Sequence, residues 1–231
     1  LFAVYTYGVD ERGIEVLYST PAQRLLTNAD GEVVGCVATT ADGTDLNVKA
    51  RKAVILTTGG YEYDPVLLQN NVKGYPIYAL GNPGNTGDGV RMAAAVGADL
   101  WHMNGCSCPI GFKCDDFEMG FMFGTLQPSM IWVNKLGKRF VNEKSVETHA
   151  GLLAVDHFDG HTLDYNEIPS WRIYDETARQ MGKVVKCPAW SDDNLEEVEK
   201  GWAVQADTIA ELAEKLGIDP DALTATVDKW N

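Results

Sequence analysis

The sequence is short of positive charge. Its 231 residues carry 19 Lys and Arg against 33 Asp and Glu, for a formal net charge of -14 at pH 7 and a pI near 4.6. A surface of that sign repels a phosphate backbone and the anionic headgroups of a membrane leaflet, so nucleic acid and membrane contact are both disfavoured as partners. Long apolar runs are also missing: none approaches the roughly 20 residues that a membrane-spanning helix needs. Neither G-x-G-x-x-G nor G-x-x-x-x-G-K-[ST] can be read, which removes the usual dinucleotide and triphosphate fingerprints. Cysteine is sparse. Cys36, Cys106, Cys108, Cys114 and Cys187 are odd in number and irregular in spacing. That excludes a disulfide framework and reads as reduced thiols. There is no internal repeat and no low-complexity segment. No Lys/Arg-led leader opens the chain. It starts on Leu1, inside a helix-like pattern, and so reads as an internal piece of a longer protein whose address stays open.

What is present reads as α/β, then α+β. Leu1, Val4, Tyr5 and Val9 share one helical face, and Gly13 ends that helix. β-type runs follow at Glu15–Tyr18, Gln23–Thr27, Val33–Thr40 and Leu46–Ala50. Turn chemistry at Asn28–Gly31 and Ala41–Gly43 makes the later ones an antiparallel meander. Ala53–Leu56 is apolar without alternation, the pattern of a strand buried on both faces of a parallel sheet. Asp64 as N-cap and Pro65 at the first helical position predict a helix to Asn71. A helix over Gly89–Val96 and a short strand over Asp99–Met103 complete the first half. Composition then shifts toward Cys, Phe, Met and Gly, which puts a domain boundary near Asn104. Beyond it, Ile131–Asn134 is strand-like, Lys135–Lys138 a basic turn, and Arg139–Val141 the return. Trp171–Tyr174 predicts a strand and Asp175–Met181 a helix. Two helices close the chain. Thr208–Glu211 is a capping box for the first. Asp219 and Pro220 start the second, with Leu223, Val227 and Trp230 on one face.

Two loops stand out as candidate ligand sites. "GNPGNTGDG", residues 81–89, holds four glycines immediately before a helix. Glycine lets backbone approach a ligand closely, and a helix start offers unpaired N–H groups. Asp88 repels phosphate at short range, so it either caps the helix or accepts a hydrogen bond from a ligand. The competing reading is an ordinary glycine-rich loop. Thr57-Thr58-Gly59-Gly60 follows an apolar strand, where α/β sheets bind ligands. Other clusters carry less. His102, Cys106, Cys108 and Cys114 are soft enough for zinc, but their spacing matches no finger. His157 and His161 stand four apart, with Gly160 weakening the helix that would align them. Glu143, Glu147 and His149 are candidate acids or bases, or else the acidic first turn of a solvated helix. The run Ser191–Lys200 reads as a solvated helix.

The segments "KARKAVILTTGGYEYDP", "GNPGNTGDGVRMAAAVGADLWHM" and "IWVNKLGKRFVNE" and the closing helix pair, in that order, resemble one flavoprotein family. It comprises soluble fumarate reductases, urocanate reductase and 3-ketosteroid dehydrogenases. The resemblance implies an FAD-binding domain over residues 1–103, Rossmann-like with a β-meander, and an α+β cap domain over 104–231, with the active site between them over the flavin. It implies that Ala22, Thr57, Thr58, Gly59, Gly60, Thr86, Gly87 and Asp88 border FAD, Ala22 near the adenine. It further implies that the family's fingerprint precedes Leu1 and that a closing FAD-domain segment follows Asn231, so the chain alone is expected to bind FAD poorly. The implied activity is hydride transfer between flavin and an activated C–C bond of a small molecule; the electron partner is unspecified. Some positions depart from the pattern. The place of the fumarate reductases' proton-donor Arg, a Tyr in the ketosteroid dehydrogenases, is Glu147 here and matches neither, leaving Glu147, then His149, as the candidate catalytic residues. A carboxylate-binding His-Pro pair falls on Cys108-Pro109, and a Glu and Arg of the proton relay fall on Phe123 and Leu126. A dianion needs cationic clamps, and none stands at those places. Phe117, Met119, Phe121, Met122, Phe123, Met130 and Trp132 instead suit a largely apolar substrate, or else form cap core. A non-catalytic binding module and a zinc domain remain the alternative classes.

Overall fold

The computed structural model describes residues 2–74, 76–124, 129–145 and 151–230. The chain divides into two compact units, Leu1–Tyr61 with Gly84–Trp101, and Glu62–Pro83 with His102–Asn231. Among the described residues, no helix is long and apolar enough to cross a membrane.

The first unit is built on a meander. Helix α1 (Phe2–Asp10) is stopped at Gly13, in left-handed backbone with φ 59°, whose N–H bonds to Asp10 O. The expected strand at Glu15–Tyr18 is irregular backbone. Strands β1 (Ala22–Thr27), β2 (Val33–Thr39) and β3 (Asp45–Lys49) pair antiparallel in the order β1-β2-β3. Asn28 closes the first turn by accepting the N–H groups of Asp30 and Glu32. Asp42 closes the second, with Thr40 and Thr44 as donors. Only the central strand is well covered, at Gly35, Val37 and Ala38. Helix α3 (Asp88–Ala95) lies against β1. Two further expected strands do not form. No ladder joins Ala53–Leu56 to another strand among the described residues, and Ile55 is 83% exposed. A strand exists only through partners, and an apolar run between two layers needs both layers. Asp99–Met103 is likewise irregular, ending in a turn closed by Gly105 N–H to His102 O.

The second unit carries the larger core. Helix α2 (Pro65–Asn71) begins as its sequence requires: Asp64 accepts the N–H groups of Val66 and Leu67, both at 3.0 Å. A two-strand ribbon pairs β4 (Gly111–Phe112) with β5 (Phe121–Met122). Strand β6 (Met130–Val133) is buried at all four residues. Helix α4 (Gly151–Val155) and the hairpin of β7 (Phe158–Asp159) and β8 (Asp164–Tyr165) follow. His157 and His161 lie on that hairpin, exposed, rather than on one helix. Strand β9 (Trp171–Tyr174), not Arg139–Val141, is the main partner of β6; Arg139 makes only a single bridge to Val133.

This two-stranded sheet separates two cores, and the period-2 geometry of a strand explains why β6 is apolar throughout. Ile131, Val133 and Ile173 face Ala213, Ile218 and Leu223 from α7 (Ile209–Leu216) and α8 (Pro220–Trp230). Met130 and Tyr174 face the other core, with Phe121, Cys114, Val185, Cys187 and Trp190. Both closing helices start at their signals: Thr208 Oγ1 accepts Glu211 N–H, and Asp219 accepts Asp221 and Ala222 N–H. Helix α5 (Glu176–Arg179) is capped by Asp175, which accepts Ala178 N–H at 2.9 Å. The expected solvated helix over Ser191–Lys200 shrinks to α6 (Glu196–Glu199), and two of its polar residues are interior. Glu197 is 0% exposed, its oxygens accepting Ser191 N–H and Oγ–H, both at 2.6 Å. Asn194 is buried and uses its whole hydrogen-bonding capacity. Its oxygen accepts from Val184 N–H and Trp190 Nε1–H, and its nitrogen donates to Arg179 O and Gly182 O.

The cysteines correct the all-thiol expectation. Cys106 and Cys108 form a disulfide, while Cys36, Cys114 and Cys187 are free. Burial, together with neighbouring Cys187, pushes the Cys114 thiol up. That chemistry does not suit a thiolate ligand, and no group of three or more potential metal ligands forms among the described residues.

Candidate functional site

Two loops of the first unit come together although about 25 residues separate them in the chain. Gly87 N–H donates to Gly60 O at 3.1 Å. Side chains are excluded where they cross. A Cβ on Gly59 would fall on the Asn85 side chain, and one on Gly89 would fall on Thr58 Oγ1. Gly59 and Gly87 both hold positive φ, 74° and 78°, which glycine alone adopts without strain. Gly87 is the N-cap of α3, so Asp88 is its first residue rather than its cap. The carboxylate of Asp88 instead accepts Thr86 Oγ1–H at 3.1 Å, and its charge suits the positive end of the helix.

The sequence-predicted residues fall as follows. Thr57, Thr58, Gly59, Thr86 and Asp88 are exposed, Ala22 and Gly60 half-buried, and Gly87 buried. Ala22 opens β1, the strand on which α3 rests. The structure therefore gathers both loops and the strand of Ala22 into one unit, with backbone and hydroxyl groups presented and bulk excluded. A cofactor that lies along main chain fits such a surface. Glu147, His149 and Leu126 lie outside the described residues.

The second unit reassigns the third acid. Glu143 does not begin a solvated helix; it is buried beside β6. Oε1 accepts Trp132 N–H at 2.9 Å, and the carboxylate takes Arg139 Nε–H and Nη2–H in a paired fork. Burial alone would push this carboxyl up; Arg139 and the Trp132 N–H outweigh it and hold it below the ordinary value. Arg139 also covers the Trp230 ring at 4.0 Å, so the "GKRFVNE" motif ties β6 to α8. The apolar residues proposed for substrate are mostly committed to packing. Phe121 and Met130 belong to the core, with Phe117, Met119 and Phe123 against it, and Phe123 meets Trp132 edge-on at 4.8 Å.

One side chain escaped the sequence reading. Arg172 stands in β9 directly opposite Trp132, its guanidinium carbon 4.9 Å from the Phe123 ring centre and 5.8 Å from that of Trp132. Its Nε is buried without an acceptor among the described residues. The available signal was a cation in the second place of the otherwise uncharged strand "WRIY".

A mixed α/β chain with two glycine loops crossing beside a helix start is compatible with a class of protein that binds a nucleotide cofactor along its main chain. The comparisons agree: a family model described as FAD binding domain matches residues 1–231. The chain belongs to that family, and FAD is its cofactor. It is 32% identical over 248 residues to a 3-oxosteroid 1-dehydrogenase of Mycolicibacterium smegmatis, covering 100% of this chain and 42% of that protein. It is 30% identical over 236 residues to an NADH:acrylate oxidoreductase of Vibrio harveyi, covering 96% of this chain and 21% of that protein. Among solved structures, a 3-ketosteroid delta1-dehydrogenase from Sterolibacterium denitrificans shares the fold with a TM-score of 0.82 at 23% identity, covering 96% of this chain and 41% of that one. The chain thus spans well under half the length of these relatives.

Proposed function

We propose that the chain belongs to an FAD-dependent oxidoreductase that acts on an activated C–C bond of a largely apolar, non-fumarate substrate. The observation that carries the reading is the crossing of the Thr57–Gly60 and Gly84–Gly89 loops, where side-chain bulk is excluded and hydroxyls and backbone remain on the surface. In this reading Thr57, Thr58, Gly59, Gly60, Thr86, Gly87 and Asp88 hold the flavin, Ala22 borders its adenine end, and the second unit acts as the cap. When bound, FAD supplies the hydride chemistry. The protein's own contribution is to orient the substrate, exclude water and deliver a proton, with Glu147 as first candidate for that group and His149 as second. The relatives' names support the redox class: one is a dehydrogenase of oxosteroids, the other an oxidoreductase of acrylate.

The test is the absorbance spectrum of the flavoprotein containing this chain. Flavin bands that dithionite bleaches and an added enone restores are the expected result. A colourless protein that cannot be reconstituted with FAD rejects the reading. Glu147→Gln is expected to lower turnover about 100-fold or more while the flavin bands persist; near-normal rates reject Glu147 as the proton-transfer group.

A further inference from the structure

We infer that Arg172 anchors the carboxylate of a monoanionic organic acid at the face of the β6–β9 sheet. The inference rests on the oxidoreductase reading only in calling that acid a substrate; the binding itself stands apart from it.

The argument is one of unmatched charge. Among the described residues Arg172 has no ion pair, and its Nε has no acceptor. Buried polar groups in folded proteins are satisfied almost without exception, so an orphaned guanidinium N–H marks a missing partner. Glu143 is near enough to be felt electrostatically, but both its oxygens are already engaged by Arg139 and the Trp132 N–H. Arg139 takes up the charge of Glu143 and so leaves Arg172 without a counter-ion in contact; Glu167, whose Oε2 also lacks a partner, is held through Oε1 by Asn134 Nδ2–H. Burial pulls the Arg172 guanidinium down to about 10, so it remains a cation at neutral pH.

The surroundings define the ligand. A planar guanidinium matches one carboxylate with two parallel hydrogen bonds. A single fork serves one carboxylate, whereas a dianion needs a second clamp. The rings of Phe123 and Trp132 exclude water around the cation, which strengthens a charge-assisted bond and favours an apolar body behind the acid group.

The test uses the purified protein that contains this chain, its flavin content read from the absorbance spectrum, and two probes of one shape, cinnamate and neutral cinnamamide, with affinities read by calorimetry. Wild type is expected to bind cinnamate about 10- to 100-fold more tightly than cinnamamide. Arg172→Met is expected to abolish that preference and leave cinnamamide binding and the flavin spectrum unchanged. Equal affinity of wild type for the two probes, no saturable cinnamate binding, or an R172M protein that keeps the preference each overturns the inference. Should R172M fail to fold, Arg172→Lys decides: it keeps the charge and loses the fork, so cinnamate affinity should fall about 10-fold, and an unchanged affinity overturns the assignment. Calorimetry needs no turnover. A wild type that prefers cinnamate yet holds no reducible flavin sustains the anchor and rejects the oxidoreductase reading.

Discussion

In the first unit, Thr57, Thr58, Thr86 and Asp88 are exposed on loops whose glycines clear bulk from the backbone. In the second, Glu143, Asn194 and Glu197 are buried, and each polar atom is engaged inside the unit. The contrast separates polar residues that hold a fold together from polar residues left for a ligand. Glu143 illustrates it: a carboxylate beside a conspicuous motif that is consumed by Arg139 and a strand N–H. Arg172 Nε and Glu167 Oε2 are the buried exceptions in the second unit among the described residues, and Arg172, the cation of the two, is the one to which an acidic ligand is assigned.

The contrast is sharpest at Asn194. Replacing it with Ala strands two donors and two acceptors and is expected to cost about 3–5 kcal/mol in urea unfolding. Glu143→Gln should cost about 2–4 kcal/mol at pH 7, because it leaves Arg139 without its counter-charge. It carries a pH signature as well. The folded Glu143 titrates below its ordinary value of 4.5, so its stabilisation is present above that pH and is lost as pH falls through the folded value. The wild type should therefore lose stability on acidification more steeply than E143Q; parallel curves would remove the ion pair from the account.

Gly89→Ala and Gly59→Ala probe the other side. Each is expected to strain the loop crossing by about 1–3 kcal/mol and to weaken flavin retention about tenfold. Tryptophan fluorescence, which comes mainly from the second unit, should show almost no shift in melting. A large shift would mean the loops belong to the structural core. Asp88→Asn should have the smallest effect, within about 0.5 kcal/mol of wild-type stability. A cost like that of Asn194→Ala would break the comparison altogether.

Much of this organisation was legible in the sequence. Asp64-Pro65, Thr208–Glu211 and Asp219-Pro220 start their helices where they stand, and the meander follows from Asn28 and Asp42. These are decisions among residues within about four positions, so local chemistry suffices. The two glycine loops were legible as clusters after a strand-like run and before a helix, but not their crossing.

Tertiary structure decided the rest. Ala53–Leu56 and Asp99–Met103 have strand composition and form no ladder among the described residues, whereas Trp171–Tyr174 becomes a strand because β6 is beside it. Arg139 and Glu143 are only four residues apart, but the burial of Glu143 against the Trp132 N–H and the stacking of Arg139 on Trp230 need β6 and α8 in place. Asn194 and Glu197 sit in an acidic run that reads as surface, and turns from distant segments bury them. Local sequence determined where helices begin and hairpins turn, since those hydrogen bonds close within a few residues. Which strands paired, which polar groups were buried and which cation was left over depended on groups farther along the chain, and only the folded chain brings those within bonding distance.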